Sequence, residues 1–395
     1  MTRPLSGPAR TAFRFVFTMG IVNLFADATY EGGGSINGPF LATLGASAAA
    51  ISIVAGVGEF LGYALRSASG FVSDRTGKYW LVTFIGYAIN LLAVPALALA
   101  GSFPLAAACI LAERVGRALR KPTVESMLSY TTDTLGTGWV YALNSALDET
   151  GSTLGPLLMA FVLSKHGSYA LAYALLLVPA LLALASLTAA RVVFPLPSDF
   201  ERGRTARAKG FTSAYFLNMV AAALFAAGLV SFELLSFHLV RQRIFSEAWI
   251  PIVLAISTVV GIVASLVFGR LYDRVGLPVV LVGVVTSAAF SPFVFFGGSA
   301  LALVGMSLWG VGYATQDTLF KALIAGLLPE GKRNFAFGLF YAGYGVGWLV
   351  GSVVMGLLYE RSLAAVVAFS ALAQLASVPL FLVAARRQTP KERPA

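Results

Sequence analysis

Apolar residues fill this chain in runs of about twenty, the length a helix needs to cross a bilayer core, and short polar or glycine-rich stretches separate the runs. Read with those turn signals, the pattern predicts helices near residues 13–42, 47–70, 79–100, 104–128, 137–164, 168–190, 211–240, 248–270, 278–297, 299–327, 334–359 and 362–385. Several exceed the bilayer thickness, so tilting or kinking is expected. Gly32, Gly33, Gly34, Pro39 and Pro122 are the points where the helical ladder loosens. The expected fold class is an all-α integral membrane protein with twelve transmembrane helices.

Composition agrees with that reading. Of 395 residues, 58% are hydrophobic and only 12% charged, where soluble domains carry about a quarter. The formal net charge of +10 invites a nucleic-acid partner, but the placement of the charges argues for basic membrane loops and no nucleic acid. Arg3, Arg10, Arg14, Arg75, Lys78, the run Arg202–Lys209, Arg270, Arg274, Lys332, Arg333 and the tail Arg386–Arg393 all fall on one side of a twelve-span chain. The other side keeps only Lys165, Arg241, Arg243 and Arg361. Positive residues stay inside, so a multi-pass protein of the cytoplasmic membrane with both termini cytoplasmic is expected. The basic start is followed by an apolar run with no small-residue cleavage site, read as a retained first span. One cysteine, Cys109, excludes an intrachain disulfide and a cysteine metal site. Two distant histidines, no paired nucleophile and base, and no Gly-x-x-x-x-Gly-Lys loop argue against a metal, a cofactor, an enzyme or a primary pump.

The stretch 191–210, polar and basic with Pro and Gly, reads as a linker between residues 1–190 and residues 211–395, each holding six spans. The halves echo one another. Gly70, Asp74, Arg75 and Gly77 of "GFVSDRTG" match Gly269, Asp273, Arg274 and Gly276 of "GRLYDRVG" at one offset. Gly116 aligns with Gly312, and Gly151 and Gly155 with Gly347 and Gly351. Self-similarity at half the chain length marks a transporter built by duplication.

"GFVSDRTGK" resembles the signature loop of the major facilitator superfamily, with its weaker echo at the matching place in the second half. "LDETGSTLGP" resembles the fifth-span motif of the superfamily's proton antiporters, with Met159-Ala160 in place of the trailing Gly-Gly. "ERVGRALR" resembles its fourth-span arginine motif, with Ala118 where Gly is usual. The resemblance implies the major facilitator fold, two pseudo-symmetric six-helix bundles, with spans one, four, seven and ten lining a cavity and spans three, six, nine and twelve facing lipid. It also implies a bacterial drug/proton-antiporter-like protein working by alternating access.

Charge placement along the spans fits. Counted at about 1.5 Å per residue, Arg114 and Arg117 fall near the bilayer midplane, while Arg120 and Lys121 approach the cytoplasmic end, where they are expected to snorkel. Asp27 and Glu31 share a face of span one; Glu59 lies midway down span two; Asp148 and Glu149 lie midway along span five. A charge at the membrane centre costs at least about 2.5–3.5 kcal/mol, so each of these needs a partner or water. Two readings stay open: Arg114 and Arg117 neutralise Asp27, Glu31 or Asp148 structurally, or one carboxylate cycles a proton while an arginine binds substrate or resets the acid. The expected proton-coupling set is Asp27, Glu31, Glu59, Asp148 and Glu149. The expected substrate set is Arg114, Arg117, Tyr30, Asn144, Gln316 and Tyr313. Gly70, Asp74, Arg75, Gly77, Asp273 and Arg274 are the expected gating residues, with the carboxylates capping helix ends and the basic groups meeting lipid heads. Gln316, Asp317 and Lys321 in span ten and Glu233 and His238 in span seven are read as gate pairs.

The expected function is secondary active transport of a small molecule, with proton-coupled efflux first and proton-coupled import of a metabolite as the alternative. A non-transporting receptor or scaffold is the reading from another class, and it would not need midplane acids. The expected partners are substrate, protons and membrane lipids, for a monomer.

Overall fold

The computed structural model describes residues 7–76, 78–129, 131, 137–195, 211–325, 327 and 333–387. These are almost entirely helical, and no strand occurs among them. The helices are α1 (Gly7–Thr43), α2 (Ala48–Thr76), α3 (Tyr79–Ala96), α4 (Phe103–Ser129), α5 (Thr137–His166), α6 (Tyr169–Leu175), α7 (Leu177–Val193), α8 (Ser213–Gly228) and α9 (Phe232–Arg241). They continue as α10 (Ile250–Val275), α11 (Leu277–Ala288), α12 (Phe290–Phe296), α13 (Ser299–Ala314), α14 (Lys321–Ala325), α15 (Arg333–Tyr359) and α16 (Leu363–Arg386). Among the described residues, nine helical stretches are long and apolar enough to cross a membrane. Most of linker 191–210 lies outside the described residues.

Each apolar run forms a helix because a span in hydrocarbon must satisfy its backbone polar groups internally. α1 is 37 residues long, about 55 Å at 1.5 Å per residue, far more than the bilayer core. It runs unbroken through Gly32–Gly34 and Pro39, and α4 runs through Pro122. The interruption comes elsewhere. The single helix expected over 211–240 is broken at residues 229–231, between α8 and α9. Leu229 is extended there, with φ −83 and ψ 109, and Ser231 restarts the helix by accepting from the Leu234 amide at 3.4 Å. The orphaned carbonyls are taken up: Gly228 O accepts from Ser370 Oγ at 2.7 Å and Gln374 Nε2 at 3.1 Å, and Val230 O from Trp309 Nε1 at 2.8 Å. A second irregularity is the π-helical turn Thr315–Phe320 between α13 and α14, the kind of local bulge that tends to occur at functional positions.

The described chain divides into two compact units: residues 1–34 with 65–204, and residues 35–64 with 205–395. Both α1 and α2 therefore contribute to each. The first unit packs around Phe15, Met19, Tyr87, Leu91, Met127 and Leu187. Its α1 and α5 meet through Gly151 and Gly155: a Cβ at either would strike the carbonyls of Leu24 or Ala28. In the second unit, Gly347 and Gly351 of α15 meet the Ala223 and Ala227 carbonyls of α8 in the same way. The glycines matched by the internal repeat thus make matched helix contacts, each inside its own unit. Small residues let backbones approach where hydrophobic burial gives no drive, since lipid is as apolar as leucine. Outward faces are apolar: Leu177, Val178, Leu181 and Leu182 of α7 are all exposed.

Candidate functional site

The first unit holds a buried cluster of charge contributed by α1, α3, α4 and α5. Gly86 and Gly116 bring α3 and α4 close, since a Cβ on Gly116 would strike the Asn90 backbone. That approach puts the fully buried Asn90 between two ion pairs. Its Nδ2 donates to Glu113 Oε1 at 2.9 Å, and its Oδ1 accepts from Arg120 Nε at 3.2 Å. Glu113 is also held by Arg117, through Nε at 3.0 Å and Nη2 at 3.2 Å, and Arg114 Nε lies 3.4 Å from its Oε2. Arg117 reaches Glu31 Oε1 at 4.0 Å, with its guanidinium 4.4 Å from the Tyr30 ring centroid. Arg120 Nη2 lies 3.6 Å from Asp27 Oδ1, and its guanidinium sits 4.6 Å from the Tyr87 ring and 5.3 Å from Tyr30. Planar, weakly hydrated guanidinium suits this double use of ion pair and aromatic face.

Alongside runs a neutral polar chain. The Tyr87 hydroxyl donates to Asn23 Oδ1, Asn23 Nδ2 to Asn144 Oδ1 at 2.9 Å, and Asn144 Nδ2 to Asp148 Oδ2 at 3.1 Å. Asp148 Oδ1 is buried with no hydrogen-bond partner.

One expectation for these residues is corrected by the structure. Arg120 does not snorkel: it is 5% exposed, because Asp27, Asn90 and two tyrosine rings surround it. Arg117 is held by Glu113, one helical turn before it, and also pairs with Glu31, one of the three acids expected for it. Asp27 and Glu31 sit on one helix but each faces its own arginine. Glu113, Asn90, Asn23 and Tyr87 are the members that charge counting along the spans does not single out. The i,i+4 spacing of Glu113 and Arg117 was a usable signal; the asparagines show only as polar residues inside apolar runs.

The second unit holds a different cluster. Gln316, in the π turn, is buried with Nε2 donating to the Tyr63 hydroxyl at 3.0 Å and Oε1 accepting from Tyr344. Tyr63 stacks on Tyr341 at 5.5 Å between centroids, and Tyr313 packs on Trp309 at 4.4 Å and Trp348 at 5.9 Å. Gln316 is thus held by two tyrosines, while Asp317 and Lys321 pair with each other at 3.3 Å, both exposed. His238 is fully buried against Tyr359, with Nδ1 2.9 Å from its hydroxyl. At the offset mapping Gly116 onto Gly312 and Gly151 onto Gly347, Arg120 maps onto Gln316, Arg117 onto Tyr313 and Asp148 onto Tyr344. The same frame carries ions in one unit and neutral hydrogen bonds with aromatic rings in the other.

The profile of the Major Facilitator Superfamily matches residues 16–320 and again 211–395. The chain belongs to the Major Facilitator Superfamily. An uncharacterized protein of Mycobacterium tuberculosis (strain ATCC 25618 / H37Rv) is 34% identical over 392 residues, covering 97% of this chain and 96% of that protein. An uncharacterized MFS-type transporter of Methanocaldococcus jannaschii is 26% identical over 361 residues, 88% of this chain and 89% of the other. Among solved structures, the peptide transporter POT in complex with sulfate superposes with a TM-score of 0.74 at 15% identity, over 94% of each chain. The nucleoside transporter NupG does so with 0.71 at 14% identity, over 94% of this chain and 98% of its own. These likenesses establish the major facilitator fold, that of a multi-pass membrane transporter.

Within this superfamily member, Glu59 is half-buried in the second unit, and Glu149 of the first is exposed. A Cβ placed on Gly70 would stand 3.7 Å from Pro122 Cβ, as one on Gly269 would from Thr318 Cγ2, so the two signature stretches make matched helix contacts. Arg75, Asp273 and Arg274 are exposed at helix ends. Gly77 and the side chain of Asp74 lie outside the described residues.

Proposed function

We propose that this protein is a proton-coupled secondary transporter that exports a small molecule across the cytoplasmic membrane by alternating access. The observation that carries the reading is the buried cluster of the first unit: Asp27 on Arg120, Glu31 and Glu113 on Arg117, and Asp148 with one oxygen bare. Ionisable groups at membrane depth are costly, and a fold keeps them where charge must change during the work. Protonating Asp27 cancels its attraction for Arg120 and leaves a buried cation to be compensated elsewhere, which favours a rearrangement. Asp27 and Glu31 are the leading proton sites, with Asp148 coupled to Asp27; Glu59 and Glu149 are secondary. Arg117, Arg114, Tyr30 and Asn144 in the first unit, and Gln316 and Tyr313 in the second, are the proposed substrate contacts. Gly70, Asp74, Arg75, Gly77, Asp273 and Arg274 are the proposed gating residues. The lysine and arginine distribution supports twelve spans, a linker over 191–210 and cytoplasmic termini; the reading is of a monomer.

The test uses full-length protein in proteoliposomes with an internal pH dye, and substrates found by thermal-shift screening. An imposed proton gradient should drive uphill substrate movement, and the gradient direction that works separates export from import. Asp27→Asn or Glu31→Gln should abolish uphill movement and retain substrate exchange. Normal uphill transport in both variants would refute the assignment.

A further inference from the structure

The chain Tyr87–Asn23–Asn144–Asp148 crosses three helices, α3, α1 and α5, and its two ends differ in kind. One end is a carboxylate. The other is the hydroxyl of a fully buried tyrosine whose ring lies under the Arg120 guanidinium, 4.6 Å from its centre. That same guanidinium pairs with Asp27, 3.6 Å away.

The direction of donation along such a chain is fixed by its ionised end. A carboxylate only accepts, so Asn144 must present Nδ2 to Asp148 and Oδ1 to Asn23. Asn23 then presents Nδ2 to Asn144 and Oδ1 to Tyr87, and the Tyr87 proton is committed to Asn23. When Asp148 takes a proton on Oδ2 it becomes the donor at that contact. The consistent arrangement then has both amides turned over: Asn144 accepts from Asp148 and donates to Asn23, and Asn23 donates to Tyr87. No proton passes along the amides; only the sense of donation changes. The Tyr87 proton, released from Asn23, is free to turn away from it, on the residue whose ring Arg120 covers. Arg120 offers donors only, so the sense of the Tyr87 hydroxyl dipole changes the field at the guanidinium that lies 4.6 Å from that ring's centre and pairs with Asp27.

We infer that Asn23 and Asn144 are positioning residues that form a reversible hydrogen-bond chain, set by the protonation of Asp148 and read by Tyr87 at the Arg120–Asp27 ion pair. The charged surroundings of both ends are compatible with that role. Asp148 faces Asp27 of α1, Arg120 and Lys121 of α4, and Glu149 of its own helix; Asp27 faces Asp148, Arg120, Lys121 and Tyr30. The two acids therefore also feel one another directly through space, and the chain adds to that coupling. The inference deepens the proton-coupling reading, but its test needs no substrate and no transport.

The experiment is an infrared pH titration of the full-length protein in lipid nanodiscs, labelled with ¹³C-aspartate, with the carboxyl bands assigned by Asp27→Asn and Asp148→Asn. In the wild-type background, Asp148→Asn should move the Asp27 midpoint by about one pH unit, a tenfold change in proton affinity. In a Tyr87→Phe background, which keeps the ring under Arg120 and removes the hydroxyl, the same substitution should move it by roughly half as much or less. Asn144→Leu should give the same reduction; Tyr87→Phe decides the matter if Asn144→Leu does not fold. An equal midpoint shift in the Tyr87→Phe and wild-type backgrounds would overturn the chain and leave only direct repulsion. Loss of substrate-driven proton flux with the titration coupling intact would overturn the transport reading alone.

Discussion

Arg120 shows what one residue contributes. Its guanidinium faces Asp27, Asn90 and two tyrosine rings, a set that no lysine reproduces, because an ammonium lacks the planar fork. Breaking a buried ion pair on one side strands the other charge, at a cost of about 3–5 kcal/mol. Arg120→Gln alone and Asp27→Asn alone should each lower the melting temperature in detergent, and Arg120→Gln with Asp27→Asn should recover most of the loss. If the pair melts no higher than the worse single variant, the two residues do not act as partners. Asn90 belongs to the same argument: Asn90→Leu removes bonds to Glu113 and Arg120 at once and should cost about 1–3 kcal/mol. Asn90→Ala and Leu91→Ala, measured in parallel, separate lost hydrogen bonds from lost packing at the same level of α3.

At the scale of elements, the helices are held by close approach as much as by side-chain burial. Gly155 lies against the Ala28 carbonyl, so Gly155→Ala must push α5 away from α1 and should destabilise by about 1–3 kcal/mol. Gly34, on the same α1, has nothing within 4 Å of where its Cβ would stand. Gly34→Ala should therefore melt at the same temperature as wild type or higher, since alanine is the better helix former by up to about 1 kcal/mol. Equal losses from both substitutions would mean that helix contact is not what these glycines provide. The break between α8 and α9 is stabilised in another way, by Gln374 and Ser370 on the Gly228 carbonyl and Trp309 on Val230. Gln374→Leu should raise amide hydrogen exchange across 228–234 while leaving α15 unchanged.

At the scale of the molecule, the internal repeat keeps one frame and divides the chemistry. Arg120, Arg117 and Asp148 correspond to Gln316, Tyr313 and Tyr344. If charge in the first unit serves proton coupling and the neutral cluster of the second serves substrate, their variants should fail differently. Gln316→Leu and Tyr344→Phe should raise the substrate concentration needed for half-maximal transport several-fold while leaving the number of protons moved per substrate unchanged. Asp27→Asn should change the proton count. A change in proton count from Gln316→Leu would show that the repeat does not divide the tasks.

The sequence by itself determined the membrane character, the all-helical class, the family and the positions of nearly every helix. These follow from local rules: an apolar run long enough to span the bilayer has no alternative to a helix, and a duplicated loop repeats its own residues. It also brought Asp27, Glu31, Arg114, Arg117 and Asp148 into view, because charge in an apolar run is conspicuous without any neighbour. Tertiary structure decided the pairings. Distance along a helix says nothing of which arginine an acid on another helix will meet; that depends on Gly86 and Gly116 letting α3 meet α4, and on Asn90 filling the space between. Asn23 and Asn90 escaped the sequence reading because their cost in hydrocarbon is met by partners that only the packed helices supply. The break at 229–231 escaped it for the same reason: no proline or glycine pair marks it, and the groups that make it tolerable stand on α13 and α16.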